Sequence, residues 1–525
     1  EENIVESKTR SGNVFHSWKY LRRPPGYKTV KYEMESMRRT KSFLSQIERS
    51  SFQRKAQMRE RKDAPEEKSS IFSPNNLTHF SMEIHVETEG HKKPDPIRNE
   101  VKMIVWCLEK ESFPFDLEIS HEGILAVLDS TAEPHRANHI IQGAADVPVA
   151  FYQTEMDMFD ALTDLVLFFD TDILSGFEIH DGSWGYIIER CRRHYKIEIS
   201  EDFSRVNFNL NNKIRDKWGL THASGITIAG RHMINIWRSM RSELNLTRYS
   251  LENLAFELLD ERLPHFSFQT LTQLWKSGQN PSNIKTVINY WMTRVRMNIR
   301  LLQKQDYIAR IVEQARLTGI DFYSVYYRGS QYKVESILFR LCKQDDFVLL
   351  SPSRKQVKNQ RALECVPLVM EPESAFYKSP VVVLDFQSLY PSIMIAYNLC
   401  YSTMIGRVRD LDFKNELGVT KFPFPKNAFS DLEEHTRITA NGVVYVKPSY
   451  RNSTLARMLE DLLNTRSMVK KTMSDVGSKN SALQKLLNRR QLALKLIANV
   501  TYGYTSASFS GRMPCSDLAD TIVQT

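Results

Sequence analysis

The chain has 525 residues, of which 42% are hydrophobic and 10% aromatic, and a formal net charge of +9. That is enough apolar material for roughly three or four cored domains, which excludes a mini-protein and a wholly disordered chain. The basic excess favours an anionic partner, no apolar run is long enough to span a membrane, and the opening EENIVESKTR is not a signal peptide. Cys107, Cys191, Cys342, Cys365, Cys400 and Cys515 are widely spaced, with neither a CxxC nor a metal-ligand pattern, and are expected as reduced core thiols of an intracellular protein. Both ends read as cuts from a longer chain.

Residues 1–75 are charged and broken by Arg22-Arg23-Pro24-Pro25-Gly26; they read as a basic N-terminal segment or linker. Good helix formers between 35 and 62 allow some helix there, and the Lys and Arg clusters suit nuclear targeting or phosphate contact. From 76 to 305 strands alternate with helices. LTHFSMEIHVET, EVKMIVWCLEK and GILAVLDS read as strands, and EMDMFDALTDLVLFFDTD as an amphipathic helix, so an α/β domain is expected. GRHMINIWRSMRSELN and a helical LLQKQDYIARIVEQARLTGI continue it. Residues 306–375 read as a connector, with the next core beginning near Ala362.

The stretch Pro380–Asn398 carries the first chemical signal. Val381, Val382, Val383 and Leu384 suit a strand buried on both faces, closed by Asp385. A carboxylate there needs a metal ion or strong donors to offset its desolvation; the bland alternative is a helix N-cap. Ser388-Leu389-Tyr390-Pro391-Ser392 then turns the chain into an apolar helix, with Pro391 expected at the first helical position. Backbone N–H groups at that helix start suit phosphate oxygens. FKNELGVTKFPFPKNAF reads as a loop and NGVVYVKPS as a short strand. Two long helical patterns, 453–475 and 481–503, joined by VGSKN, read as a helical hairpin. Arg466 with Lys470, and Lys495 with Asn499, each share a helix face at a spacing of four. They form either a triphosphate-sized clamp or ordinary solvated basic faces.

DFQSLYPSI at 385–393 resembles the DxxSLYPS motif of family B DNA polymerases, and KLIANVTYG at 495–503 their KxxxNSxYG motif, in the right order. The longer wording SMEIHVET, DFQSLYPSIMIAYNLCYSTMIGRVR and KLIANVTYGYTSASFSGRMPCSDLAD is similar to the translesion branch of that family, and Val500, where Ser is usual, fits that branch. The resemblance covers roughly residues 75–525. It implies an α/β and α+β multidomain chain: a ribonuclease H-like exonuclease-type domain at 76–305, the first palm part with an antiparallel sheet at 376–447, helical-hairpin fingers at 448–508, and the start of a second palm part at 509–525.

The same resemblance implies a DNA-directed DNA polymerase acting in translesion synthesis, with two Mg2+ ions held through the Asp385 carboxylate and the Phe386 carbonyl. Ser388 and Leu389 would offer N–H groups to phosphate, and Tyr390 would pack under the deoxyribose. Arg466, Lys470, Lys495 and Asn499 would bind the triphosphate, and Tyr502 and Gly503 would line the nascent base pair. Primer–template DNA, dNTP and accessory polymerase subunits are the implied partners, in the nucleus and away from membranes. A second carboxylate motif, the thumb and a cysteine-rich module that could hold an iron–sulfur cluster are expected beyond Thr525, so the chain alone is expected to be inactive. A replicative-type polymerase with a working exonuclease and a non-catalytic scaffold are the alternatives.

Active exonuclease domains of the family place four carboxylates around two metals. In this chain the corresponding positions fall at Glu83, His85, Ser183 and Arg294, so one carboxylate survives and a guanidinium enters the site. Glu87, Glu178 and Asp181 are nearby in sequence. An exonuclease fold without exonuclease chemistry is expected.

Overall fold

A computed structural model describes residues 4–8, 14–18, 77–112, 116–128, 134–206, 226–276, 280–365, 370–408, 415–422, 430, 432–476, 481–507 and 513–525. The expected helix at 35–62 lies outside the described residues. The chain divides into two compact units, Glu1–Phe72 and Ser73–Thr525. In the first, Ile4–Lys8 and Val14–Trp18 pair as an antiparallel hairpin.

The second unit begins with a six-stranded sheet built from β1 (Thr78–Val86), β2 (Val101–Ser112), β3 (Asp116–Val127), β4 (Val149–Tyr152), β5 (Ile173–Gly176) and β6 (His232–Asn235), in the order β4-β3-β2-β1-β5-β6. The β1-β2-β3 meander is antiparallel, while β5 and β6 join it in parallel. This is the ribonuclease H-like arrangement. Both faces of β1 are buried, and its two-residue alternation sorts them by chemistry. Phe80, Met82, Ile84 and Val86 pack into an apolar core with Met158, Phe159 and Trp184. His79, Ser81, Glu83 and His85 fill the opposite, equally buried face.

Three helices support that sheet. α1 (Pro134–Ala144) precedes β4, α2 (Glu155–Phe168) starts with a Thr154/Asp157 capping box, and α3 (Ser183–Arg190) follows β5. The Glu155 carboxylate ties α2 to α3 and to the start of β2. It accepts from the Val101 N–H at 2.6 Å, the Tyr195 hydroxyl at 2.9 Å and Arg190 Nη2 at 2.7 Å, with both charged side chains at most 4% exposed. After β6 come α4 (Ile236–Glu243), α5 (Leu251–Leu259) and the long α6 (Pro281–Lys304), which is N-capped by Asn280 with Pro281 in its first turn. α6 brings Trp291, Arg294 and Asn298 to the polar face of β1.

The segment expected as one helix over 301–320 is two. α6 ends at Lys304, Asp306 turns through a left-handed conformation with φ 51°, and α7 (Tyr307–Thr318) restarts in a new direction. Nor is 306–375 a mere connector. In α8 (Ser330–Gln344), Val334, Ile337 and Leu338 are buried in one core with residues from the rest of the chain. The second core therefore begins well before Ala362.

That core gathers α9 (Leu389–Ala396), α10 (Thr454–Val476), α11 (Ser481–Ser506) and α12 (Ser516–Gln524) around a three-stranded antiparallel sheet. Its strands are β7 (Met404–Arg407), β8 (Thr436–Ile438) and β9 (Val443–Val446), in the order β8-β9-β7. Met394, Tyr445, Leu459, Leu494, Ile497 and Leu518 meet at its centre. α10 and α11 form the expected hairpin. Part of the expected loop at 413–429 is a short strand pair, Asn415–Leu417 with Thr420–Phe422; 423–429 lie outside the described residues.

The buried strand expected at Val381–Leu384 is not formed. The segment belongs to no sheet, and its side chains are 62% to 89% exposed. β-branched residues favour a strand only where a neighbour supplies ladder bonds and packing, and no strand among the described residues lies beside this one.

The Glu155–Arg190 pair yields a stability test. Arg190→Met would leave a buried carboxylate without its cation, a loss of about 3–5 kcal/mol. Urea unfolding should show this as a lower midpoint for the α/β half; a shift under 1 kcal/mol would remove the pair from that role.

Candidate functional site

At the head of α9 the backbone makes the site. Ser388 adopts φ 53°, ψ 52°, which swings the chain from its extended approach into the helix, and the Ser392 N–H closes the first helical bond on the Ser388 carbonyl at 2.9 Å. Ser392 Oγ donates to the Gln387 carbonyl at 3.1 Å and pins the turn. Leu389 is the first helical residue, so Pro391 sits at the third position rather than the first, still where a missing N–H costs no helical bond. Asp385 and Phe386 lie exposed just ahead of this helix start.

Two elements distant in sequence meet here. The Tyr390 ring stacks on Tyr502 of α11, with centroids 4.4 Å apart and planes 9° from parallel. Burial, with Tyr390 and Asp520 beside it, pushes the Tyr502 phenol up, so it stays neutral. On α11, Gln491, Lys495, Asn499 and Tyr502 fall at helical spacings of four, four and three, so they share one face. Lys495, Asn499 and Gly503 are exposed. Across the hairpin, Arg466 Nε donates to Gln491 Oε1 at 3.4 Å, and Lys470 is exposed one turn along α10. The structure thus brings Tyr390, Tyr502, Arg466, Lys495 and Asn499 onto neighbouring elements, while Asp385 takes no hydrogen bond or ion pair among the described residues.

Asn398 escaped the sequence reading as a functional support. Its amide donates to the Val446 and Arg451 carbonyls at 2.8 and 2.9 Å and accepts from the Ser453 N–H at 2.9 Å, fastening the end of α9 to β9 and to the start of α10. Its signal was an Asn closing a helix, where φ is 57°. Gln491 was missed as well, although it lies one turn before Lys495.

The second cluster lies on the polar face of β1. Glu83 accepts from the Phe177 N–H at 2.8 Å and from Asn298 Nδ2 at 2.7 Å. Burial pushes its carboxyl up, opposed by the Arg294 guanidinium and these donors. Arg294 is itself held, donating to Glu252 Oε1 at 2.8 Å and Tyr290 Oη at 3.1 Å, over the rings of Phe177, Tyr290 and Trp291. Ser183 is fully buried at the start of α3 and its hydroxyl has no partner; Glu178, bonded by Asn235 Nδ2 at 2.8 Å, is the acid whose charge reaches Glu83. Glu87 turns to Lys276. His85 accepts from Trp291 Nε1–H on Nδ1 at 3.2 Å, so its proton sits on Nε2, which is buried without a partner. No group of three or more acidic, His or Cys side chains suited to a metal occurs among the described residues.

The two-part fold agrees with the comparisons. The family model "DNA polymerase family B" matches residues 320–525 and "DNA polymerase family B, exonuclease domain" matches residues 23–254. The chain belongs to the family B DNA polymerases.

Over 98% of its length it is 55% identical to the DNA polymerase zeta catalytic subunit of Saccharomyces cerevisiae, covering 34% of that relative. It is 39% identical to the human DNA polymerase zeta catalytic subunit over 87% of this chain and 15% of that one. Similarity extends to the DNA polymerase delta catalytic subunit of Plasmodium falciparum, 30% identical over 71% of this chain and 33% of that one. The chain spans about a third or less of the length of these relatives.

The buried histidine gives the cleft a pH signature. Burial lowers His85 from its ordinary 6.5 to about 3. Between those values the unfolded chain takes up a proton that the folded chain refuses, so stability falls as pH falls, by up to ~1.4 kcal/mol per pH unit. Glu83, whose folded pKa is raised, acts in the opposite sense and loses stability as pH rises above 4.5. His85→Phe should flatten the acid side of a stability profile taken by urea unfolding from pH 7 to pH 4. An unchanged slope would place the acid sensitivity elsewhere.

Proposed function

We propose that this chain supplies the exonuclease-type domain and the nucleotide-binding part of a nuclear DNA-directed DNA polymerase that extends primers across damaged template. The observation that carries the reading is the Tyr390–Tyr502 stack, 4.4 Å between centroids, which joins the Asp385 turn to the Lys495–Gly503 helix in one site. Its partners on this reading are primer–template DNA, dNTP and accessory subunits of a zeta-type complex. The basic excess suits the first two.

The donor set fits a hard divalent cation in part. Asp385 is an exposed carboxylate with no competing protein partner among the described residues, and the Phe386 carbonyl is its neighbour. Both are hard oxygen donors of the kind Mg2+ takes. Bound Mg2+ would supply charge neutralisation on the transferring phosphoryl group and activation of the primer hydroxyl. The chain's own residues do the rest. The N–H groups of Ser388 and Leu389, at a positive helix end, hold phosphate oxygens. Arg466, Lys470, Lys495 and Asn499 bind the triphosphate and the pyrophosphate that leaves. Tyr390, braced by Tyr502, lies where a ribose 2′-hydroxyl would project, and Gly503 leaves room for the base pair beside it.

In full-length polymerase, Asp385→Ala should abolish primer extension while primer–template affinity stays nearly unchanged, because the carboxylate holds metal rather than DNA. Extension at a tenth of the unaltered rate would sink the assignment.

The exonuclease-type cleft has, on this reading, no nuclease chemistry. Arg294 sets a permanent positive charge beside Glu83, the one acid left at the four aligned positions, and a guanidinium cannot lose its proton to admit a divalent cation. A polymerase that keeps what it inserts suits extension from mismatched ends. Incubation with a mismatched 3′-labelled primer and Mg2+ or Mn2+ should leave the primer intact; metal-dependent shortening abolished by Glu83→Ala would overturn this.

A further inference from the structure

α11 is a helix with two charged faces that do different things. At about 100° per residue, Gln491, Lys495, Asn499 and Tyr502 fall together, whereas Arg489 and Arg490 point about 120° and 140° to either side of Lys495. Those two arginines reach α7. Arg489 grips the Asp306 carboxylate with Nε and Nη2, the latter 2.6 Å from Oδ1. Arg490 Nε donates to Glu313 Oε2 at 3.1 Å, and the Glu313 carboxylate, 5% exposed, also receives Arg316 Nη1 at 3.3 Å.

Neither anchor is a loose surface pair. A carboxylate buried like that of Glu313 is strongly destabilised without its cations, and the Asp306 pair is bidentate, which fixes orientation as well as distance. Asp306 stands at the joint where α6 ends and α7 begins, in a left-handed conformation that Asp tolerates better than most residues. It lies two turns before Glu313, about 10 Å along α7. Two fixed points that far apart determine both the rotation of α11 about its own axis and its slide along α7.

We propose that Asp306 and Glu313 are positioning residues for the incoming nucleotide, acting through Arg489 and Arg490 to set the angle at which α11 presents Lys495 and Asn499. This rests on the reading of that front face as triphosphate-binding. Side-chain tips lie ~6 Å from a helix axis, so a turn of about 10° displaces them by ~1 Å, enough to carry a charge-assisted hydrogen bond to a phosphate oxygen out of range. The anchors touch neither substrate nor metal; their effect reaches the site as helix orientation. They also make the joint between the exonuclease-type domain and the polymerase core part of the nucleotide site.

The test uses the full-length polymerase in single-turnover extension of a matched primer, which separates the dissociation constant for dNTP from the maximal rate. Asp306→Asn keeps the left-handed turn and removes the charge. It should weaken dNTP binding about tenfold, about the worth of one charge-assisted hydrogen bond, with the maximal rate changed less than threefold and primer–template affinity and urea midpoint nearly unchanged. Arg489→Ala should do the same, Arg489→Lys should recover part of the loss, and Asp306→Asn with Arg489→Ala should be no worse than either alone, since both remove one contact. A dissociation constant within twofold of the unaltered enzyme, effects that multiply in the double variant, or a loss confined to the maximal rate would each overturn the proposal. Lys495→Ala, run alongside, separates two failures. If it weakens dNTP binding and Asp306→Asn does not, only the anchoring is wrong; if Lys495→Ala has no effect, the nucleotide-binding face itself is misassigned.

Discussion

Helix α11 must satisfy three environments at once, and the polymerase half depends on that constraint. Leu494, Ile497, Ala498 and Tyr504 are buried in the core shared with α8, α9, α10 and α12. Arg489 and Arg490 are claimed by carboxylates of α7. What remains is a narrow polar stripe, and a helix of 3.6 residues per turn leaves little choice about which side chains occupy it. Lys495, Asn499 and Tyr502 are exposed or half-buried because the other directions are taken. The site is what the packing leaves over. Its polar side chains need no internal partner because they face solvent or substrate.

Much of this was legible in the sequence. The hairpin of α10 and α11 followed from apolar periodicity interrupted by a turn, and the grouping of Lys495 with Asn499 from helix geometry alone. The α/β half was legible for the same reason, since alternating strands and an amphipathic helix leave local marks. What was not legible is non-local. Asp306 breaks a helix in a run, LLQKQDYIAR, that contains neither Gly nor Pro, and its carboxylate is engaged by an arginine 183 positions away. Val381–Leu384 has every local mark of a buried strand, yet pairing is a property of neighbours, and the run stands exposed.

The exonuclease-type domain keeps a buried acid, Glu83, on the polar face of β1. The polar face of β1 is covered by α6, and most of its groups find protein partners, His85 Nε2 being the exception. Glu83 is satisfied by a backbone N–H and Asn298, with Arg294 as the nearby cation, and Glu252 holds that arginine in place. An isolated carboxylate at this depth would be too costly to ionise. The Arg294 guanidinium offsets that cost in part, and burial still leaves the Glu83 carboxyl raised. Glu83 joins the chain just after β5, through the Phe177 N–H, to α6, through Asn298. The second acid position falls at Ser183 in the sequence, but the acid whose charge reaches Glu83 is Glu178. A residue that follows a strand end is displaced easily by loop length, whereas residues on β1 and α6 are fixed by register.

Asp385 presents the opposite situation. It is exposed and unpaired among the described residues, and the segment before it is unsupported by any strand there. A lone hydrated carboxylate holds a hard cation weakly, because Mg2+ gives up its water reluctantly. Its selectivity and position must come from additional oxygen ligands, those of a bound triphosphate among them. The elements that are rigid here, the Ser388 turn and the α11 stripe, are the ones that would fix a triphosphate. On the proposed reading the nucleotide would be placed first, by helix ends and cations that the fold already holds, and Asp385 would complete the metal's geometry around it. That order would assign specificity to the packed helices and leave the least supported residue of the site with the most general task.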